Sequence, residues 1–170
     1  MGHVVLVGLM GSGKTTVGAA LAAAIGVPFR DSDADIERDT GLTARQLAAR
    51  DGIDALHERE ARHLLDALGQ PGTTVIAAAA STLDDPVCRS RLRAPRQLVV
   101  WLRASPAAIA ARLRPDDHRP DLGADLRDVI RRQATRRTPA LREVADITLD
   151  ATQSPATLVK TIRTHADAVR

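Results

Sequence analysis

Residues 8–15, GLMGSGKT, restrict the possible folds of this chain more than any other feature of its sequence. They fit the pattern G-x-x-x-x-G-K-[ST], with the apolar run HVVLVG before them and the helical pattern KTTVGAALAAAIG after them. In such a loop the glycines allow consecutive backbone N–H groups to point at phosphate oxygens, and the following helix adds its dipole. The segment therefore predicts a phosphate-binding loop between a strand and a helix.

Two side chains of this loop carry specific chemistry. Lys14 can reach the β- and γ-phosphates of a nucleoside triphosphate, and the Thr15 hydroxyl can ligate Mg²⁺. The loop alone leaves three functional classes open, namely kinases, NTPases and GTP-dependent switches. The predicted nucleotide contacts are Gly11, Ser12, Gly13, Lys14, Thr15 and Thr16.

Short apolar runs alternate with helical patterns along the rest of the chain. For example, RQLVVWLRA precedes SPAAIAARL, and ADITLDA precedes SPATLVKTIRTHADAV. The pairs Ser105-Pro106 and Ser154-Pro155 each predict a helix that begins at the proline and is capped by the serine. This alternation is typical of an α/β fold in which helices cover both faces of a parallel sheet. At 170 residues we expect one domain.

The composition narrows the possible partners and location. One Trp, one Phe and no Tyr leave few aromatic platforms for single-stranded nucleic acid. Arginines concentrate between positions 103 and 142, but Asp and Pro interrupt them, so a pocket for small anions explains them as well as a nucleic-acid patch does. The single cysteine, Cys88, and the lack of a transmembrane or signal-like segment suit a cytoplasmic protein.

The segment FRDSDADIE places two acidic residues at the end of a predicted strand. Asp31 and Asp33 can both face the crevice in which open α/β sheets bind ligands. One carboxylate can hold the Mg²⁺ shell, and the other can accept a proton from a substrate hydroxyl. The alternative is that they cap the following helix.

Taken together, these segments resemble the shikimate kinase family over nearly the whole chain. The loop and FRDSDADIE resemble the start of the family sequence, and GLTARQLAARDGIDALHEREA resembles its substrate-binding helices, roughly residues 33–68. RLRPDDHRP is similar to its mobile lid, roughly residues 114–123, while RRTPALREVADITLDA and SPATLV are similar to its carboxyl-terminal segments. The resemblance implies one P-loop kinase domain over residues 1–170. Its fold would resemble that of the nucleoside-monophosphate kinases, with a five-stranded parallel sheet in the order 2-3-1-4-5 and a lid.

The resemblance also implies a mechanism and roles for individual residues. The γ-phosphoryl group of ATP, bound with Mg²⁺, would pass in line to a substrate hydroxyl, with Lys14, Asp33 and Arg119 as catalytic residues. Thr15 and Asp31 would hold the metal, Arg112 and Pro155 would lie on the adenine side, and Arg137 would bind the substrate carboxylate. We expect a monomer with a small-molecule substrate and no nucleic-acid or membrane partner.

Three departures from the family pattern fall on the acceptor side. Ala79, Ala80 and Ser81 replace three glycines, and His57 replaces an arginine, so all four remain candidate substrate contacts; Leu141 replaces a tyrosine. His57 has the alternative of being a helix-surface histidine. We therefore expect phosphorylation of shikimate or, in better agreement with these changes, of a related small polar metabolite. A sugar or polyol, as in the gluconate kinases, is one alternative acceptor, and a nucleotide-binding pseudokinase is the alternative function.

Overall fold

The computed structural model describes residues 2–112 and 126–168. The strands are β1 (Val4–Val7), β2 (Phe29–Asp31), β3 (Val75–Ala77), β4 (Leu98–Arg103) and β5 (Ile147–Asp150). The helices are α1 (Lys14–Ile25), α2 (Ser32–Thr40), α3 (Ala44–Asp51), α4 (Ile53–Gly69), α5 (Pro86–Leu92), α6 (Pro106–Arg112), α7 (Leu126–Val144) and α8 (Pro155–Ala168). A 3-10 helix, Ala80–Asp84, follows β3.

The five strands form one parallel sheet in the order β2-β3-β1-β4-β5, which confirms the predicted order. β1 lies at the centre, where Val5 is paired with Ile76 of β3 and with Val99 of β4. All four residues of β1 are buried, as expected for a strand covered on both faces. β3 separates β1 from β2, so the carboxyl ends of these three strands meet at one edge of the sheet.

Alternate residues of β1 enter two different cores. Val5 and Val7 pack in one apolar cluster with residues of α4, α5 and α7, including Leu64 and Leu141. Val4 and Leu6 pack in a second cluster with residues of α1 and α8. The structure therefore confirms the predicted helical layers on both faces of the sheet. It also places Leu141 in the core.

Local signals in the sequence set the first residues of helices α6 and α8. The Ser105 hydroxyl accepts a hydrogen bond from the backbone N–H of Ala108, at 3.1 Å, at the start of α6. The Ser154 hydroxyl accepts one from the N–H of Thr157, at 3.2 Å, at the start of α8. Both helices begin at the predicted proline. The predicted lid, roughly residues 114–123 and including Arg119, lies outside the described residues.

Within residues 2–112 and 126–168, we find no helix with the length and apolar character that crossing a membrane requires.

Gly18 allows α1 to pack closely against the sheet. A Cβ atom at this position would lie 2.9 Å from Cζ of Phe29 and 3.2 Å from Cδ1 of Leu6, and it would also clash with Cε2 of Phe29. Because α1 follows directly from the phosphate loop, this contact fixes the direction in which the loop enters the helix.

We predict that Gly18→Ala destabilises the protein by up to about 2 kcal/mol. Overpacking a buried site typically costs ~1–3 kcal/mol, which outweighs the helix propensity of about 1 kcal/mol that alanine gains over glycine. Urea unfolding measures the change. Gly69→Ala is the matched control, since it is also helical but has open space around the added methyl group. Equal stability of the Gly18→Ala and Gly69→Ala proteins would contradict this packing.

Candidate active site

The carboxyl ends of β1, β2 and β3 open into one cavity of about 340 Å³. This size lies within the range of about 300–1,000 Å³ that is typical of small-molecule sites. The lining includes thirteen of the predicted site residues. These are Gly11, Gly13, Lys14, Thr15, Thr16, Asp31, Asp33, His57, Ala79, Ala80, Ser81, Arg112 and Arg137.

The phosphate loop adopts the backbone that its glycines predict. Gly13 caps α1 in the left-handed region, at φ 93°, and Gly8 has φ 147°. A Cβ atom on Gly8 would lie 2.7 Å from the carbonyl oxygen of Leu102, so only glycine fits there. The Lys14 ammonium group donates to the carbonyl oxygens of Gly8, at 3.0 Å, and Leu9, at 3.1 Å. The lysine side chain therefore folds back onto its own loop.

Asp31 performs two tasks at the end of β2. Its Oδ1 accepts hydrogen bonds from the backbone N–H groups of Asp33, at 3.0 Å, and Ala34, at 3.4 Å, so it caps α2. Its Oδ2 accepts a hydrogen bond from the Thr15 hydroxyl at 2.7 Å. The capping alternative is thus confirmed for Asp31, and the same carboxylate joins the phosphate loop to the second strand. Asp33 is exposed in the first turn of α2 and lines the cavity.

The remaining nucleotide-side predictions have different outcomes. Arg112 lines the cavity, and its guanidinium donates to the carbonyl oxygen of Ala151 at 2.8 Å. Ser12 is a buried member of the loop, and Pro155 is exposed at the start of α8; the described residues that line the cavity do not include either of them. Arg119 lies outside those residues. The roles of Ser12, Pro155 and Arg119 stay predictions.

Helix α4 contributes another wall of the cavity through His57 and Glu60. His57 is half-buried and faces the cavity rather than bulk solvent. Burial lowers the pKa of His57, and the positive charge of Arg137 lowers it further. The imidazole is therefore mainly neutral at neutral pH, in contrast to a permanently charged arginine.

Ala79, Ala80 and Ser81 accommodate their side chains with ordinary backbone angles. Ala79 has φ −62° and ψ 144°, and no residue other than glycine has a positive φ in residues 2–112 and 126–168. The chain then enters the 3-10 helix, and Ser81 is buried with its hydroxyl donating to Glu60 Oε2. The segment after β3 therefore presents methyl groups and a serine hydroxyl to the cavity.

Glu60 was not singled out from the sequence, although it lies at the centre of this wall. It is buried and lines the cavity. Burial raises its pKa, and although the hydrogen bond from Ser81 opposes that effect, the pKa rises from 4.5 to about 7. The sequence did carry a signal, because Glu60 falls among the buried residues of α4, between Leu56 and Leu64, where an acid is unexpected.

Arg137 reaches the cavity from α7, as predicted, but its guanidinium already has a partner. Its Nε and Nη2 donate to Oδ2 of Asp84, at 3.2 and 2.8 Å, and its Nη1 donates to Oε1 of Gln133 at 3.3 Å. Asp84 ends the 3-10 helix and was not predicted as part of the site. No local pattern indicates this pair, because 53 positions separate the two residues.

A second network, centred on the buried side chains of Asp35 and His63, joins α2 to α4. Asp35 of α2 binds Arg30 of β2, Arg38 of its own helix and His63 of α4, the last two at 2.7 Å. Burial would raise the pKa of Asp35, but these three hydrogen bonds outweigh it and hold the pKa at about 2. The network fixes α2, which carries Asp33, against α4, which carries His57 and Glu60.

Comparison with known proteins identifies the family. A family model described as shikimate kinase matches residues 10–166, which is most of the chain. The chain belongs to the shikimate kinase family. It is therefore a phosphotransferase whose acceptor group is an alcohol. The shikimate kinase of Chromobacterium violaceum is 36% identical over 159 residues, which cover 93% of this chain and 85% of that protein. "Shikimate kinase 2" of Sodalis glossinidius is 35% identical over 164 residues, which cover 94% of this chain and 92% of that protein.

Solved structures agree with this family assignment. Shikimate kinase from Acinetobacter baumannii, in complex with shikimate, superimposes with a TM-score of 0.90 at 30% identity, covering 99% of this chain and 94% of that one. Deoxyadenosine kinase from M. mycoides, at 11% identity and a TM-score of 0.65, shares the fold alone. The family and the nucleoside-monophosphate-kinase-like P-loop fold predicted from the sequence are thus confirmed.

We predict that Glu60→Gln removes a pH dependence of stability. A carboxyl group with a raised pKa stabilises the folded state fully below pH 4.5, and that contribution is lost as the pH rises through about 7. Between pH 5 and pH 8 the wild-type protein should lose roughly 2–3 kcal/mol relative to the Glu60→Gln variant, because glutamine mimics the neutral acid. Urea unfolding at several pH values measures this difference.

Glu58→Gln is the control, because Glu58 is exposed on the same helix. Its pH profile should run parallel to that of the wild type. A Glu60→Gln profile that also runs parallel to the wild type would show that Glu60 is already ionised at pH 5.

Proposed function

We propose that the protein transfers the γ-phosphoryl group of ATP to a hydroxyl group of a small polar metabolite related to shikimate. The observation that carries this proposal is the single cavity. Lys14 and Thr15 of the phosphate loop line it together with Asp33, Glu60 and Arg137. A phosphate donor and an alcohol acceptor can therefore meet inside one pocket, as direct transfer requires.

The residues of the phosphate loop would bind and orient the triphosphate. Backbone N–H groups of the loop and the start of α1 offer hydrogen bonds and a positive dipole to the phosphate oxygens. The Lys14 ammonium, held by the carbonyl oxygens of Gly8 and Leu9, lies where it can turn toward the γ-phosphate. It would offset the charge of the group in transfer.

Asp33 would act on the acceptor. Asp33 is exposed at the start of α2 and lines the same cavity as Glu60. In the transfer, an acceptor oxygen forms a bond to the γ-phosphorus while the bond from that phosphorus to the leaving ADP oxygen breaks. Asp33 orients the hydroxyl and accepts its proton.

Thr15 and Asp31 fit the site expected for Mg²⁺. Their oxygens lie 2.7 Å apart at the end of the phosphate loop, and hydroxyl and carboxylate oxygens are ligands that Mg²⁺ prefers. Because Asp31 Oδ1 is occupied by backbone N–H groups of α2, its Oδ2 is directed at Thr15. When bound, Mg²⁺ supplies positive charge beside the phosphate oxygens.

The residues of the acceptor wall support a metabolite other than shikimate. His57 supplies a mainly neutral ring where the family resemblance implies an arginine, and Ala79, Ala80 and Ser81 fill space where it implies bare glycine backbone. Losing a charged hydrogen bond to a substrate carboxylate costs about 1.5–3 kcal/mol, or roughly 10- to 150-fold in affinity. The nucleotide side has no comparable change.

A coupled assay of ADP release tests the proposed function. We expect at least one member of a panel of cyclitols, sugars and hydroxy acids to stimulate ADP release well above the background ATPase rate. Lys14→Ala should lower kcat/KM for that acceptor by about 100-fold or more. Lys160→Ala, which changes an exposed lysine of α8, should leave it unchanged.

If no acceptor raises ADP release above background, the pseudokinase alternative replaces the kinase. Against that alternative, the cavity retains Lys14, Thr15, Asp31 and Asp33 together. Nucleotide binding alone does not require a carboxylate directed at the acceptor.

A further inference from the structure

The charge of Arg137 is compensated within the protein. Its guanidinium is buried, and two of its N–H groups donate to one oxygen of Asp84, at 3.2 and 2.8 Å. The third nitrogen donates to Gln133, from the same helix, at 3.3 Å. A guanidinium binds a carboxylate best through two parallel N–H groups, and Arg137 already directs one such pair, on Nε and Nη2, at Asp84.

Asp84 is itself held on both sides, so it does not readily release Arg137. Its Oδ1 lies 3.4 Å from Nε of Arg136, the neighbouring residue on α7, while its Oδ2 accepts from Arg137. The Asp84 side chain is 22% exposed and that of Arg137 is 9% exposed. A ligand carboxylate that took Arg137 would have to displace this half-buried acid. Breaking such a pair is costly, because one charge is left without its partner.

His57 does not replace the missing positive charge. It lies in the same wall, and burial followed by the charge of Arg137 disfavours its protonated form. A mainly neutral imidazole offers one N–H donor, which suits a hydroxyl or carbonyl oxygen better than a carboxylate.

Carboxyl and hydroxyl groups dominate the rest of this wall. The Ser81 hydroxyl donates to Glu60, and both residues are buried where they line the cavity. Asp33 supplies a second carboxyl group nearby, which contributes to the raised pKa of Glu60. These oxygens accept hydrogen bonds from the hydroxyl groups of a ligand, and the Asp33 carboxylate would repel a ligand carboxylate.

We propose that the acceptor is an uncharged polyhydroxy compound, such as a cyclitol or sugar without a carboxylate, and that Asp84 excludes carboxylate-bearing acceptors by retaining Arg137. This inference rests on the proposed phosphotransferase function and names its substrate class. Asp33 and the Glu60–Ser81 pair bind the hydroxyl groups of the acceptor, and Arg137 serves the structure of the wall.

Shikimate and its amide are matched probes, because they share ring and hydroxyl groups and differ in charge. In the wild-type protein kcat/KM for the amide should exceed that for shikimate by about 10-fold or more. Asp84→Asn frees Arg137 and should shift this ratio toward shikimate by about 10- to 100-fold. Glu58→Gln removes an exposed carboxylate from α4 and should leave the ratio unchanged.

Asp84→Ser provides a second variant if the Asp84→Asn protein fails to fold. The ratio of kcat/KM for the amide to that for shikimate in the wild-type protein tests the acceptor class without any variant. If shikimate is turned over as well as or better than its amide, the inference is overturned while the phosphotransferase function stands. If Asp84→Asn folds and leaves the ratio unchanged, Asp84 has no role in selection and the inference is likewise overturned. If neither probe nor any neutral polyol stimulates ADP release, the proposed function fails and the inference fails with it.

Discussion

The pairing of β3 with both β1 and β2 is the constraint on which the rest of the structure depends. Because the strands are parallel, their carboxyl ends meet at one edge of the sheet. β1 delivers the phosphate loop there, β2 delivers Asp31 and Asp33, and β3 delivers residues 77–81. The hydrogen bond of 2.7 Å between Thr15 and Asp31 joins the first two of these units across the cavity. The strand order thus brings the phosphate loop and the end of β2 together, although 16 positions separate Thr15 and Asp31 in the sequence.

The two ends of the cavity differ in how their charges are satisfied. At the nucleotide end, backbone N–H groups and the start of α1 offer positive potential to a ligand phosphate. At the acceptor end, the protein satisfies its own charges, since Asp84 holds Arg137 and Ser81 donates to Glu60. The proposed selection of acceptors by hydroxyl geometry rather than by net charge rests on this difference. The first end agrees with membership of a kinase family, and the second is the basis of the proposed change of acceptor.

The parts of this structure that local sequence patterns determine could be predicted. Short segments whose chemistry acts on near neighbours determine the phosphate loop, the capped starts of α6 and α8, and the two aspartates at the end of β2 and the start of α2. The strand order followed only from the resemblance to a family. Glu60 and Asp84 were missed because their roles depend on tertiary contacts, with Ser81 from another element and with Arg137 at a distance of 53 positions. The change from glycine to Ala79, Ala80 and Ser81 was visible in the sequence, but the contact of Ser81 with Glu60 was not.

Calorimetric titration of shikimate into the wild-type protein, saturated with ADP and Mg²⁺, tests most directly whether the acceptor end has changed while the nucleotide end has not. A titration with ADP, done first, checks that the nucleotide end is folded and binds its ligand. We predict that shikimate then binds with a Kd of about 1 mM or weaker, since neither His57 nor Arg137 offers its carboxylate an unengaged positive charge. A Kd of about 10 μM or tighter would contradict this prediction, because the Asp84–Arg137 pair would then have to open for a carboxylate at little cost.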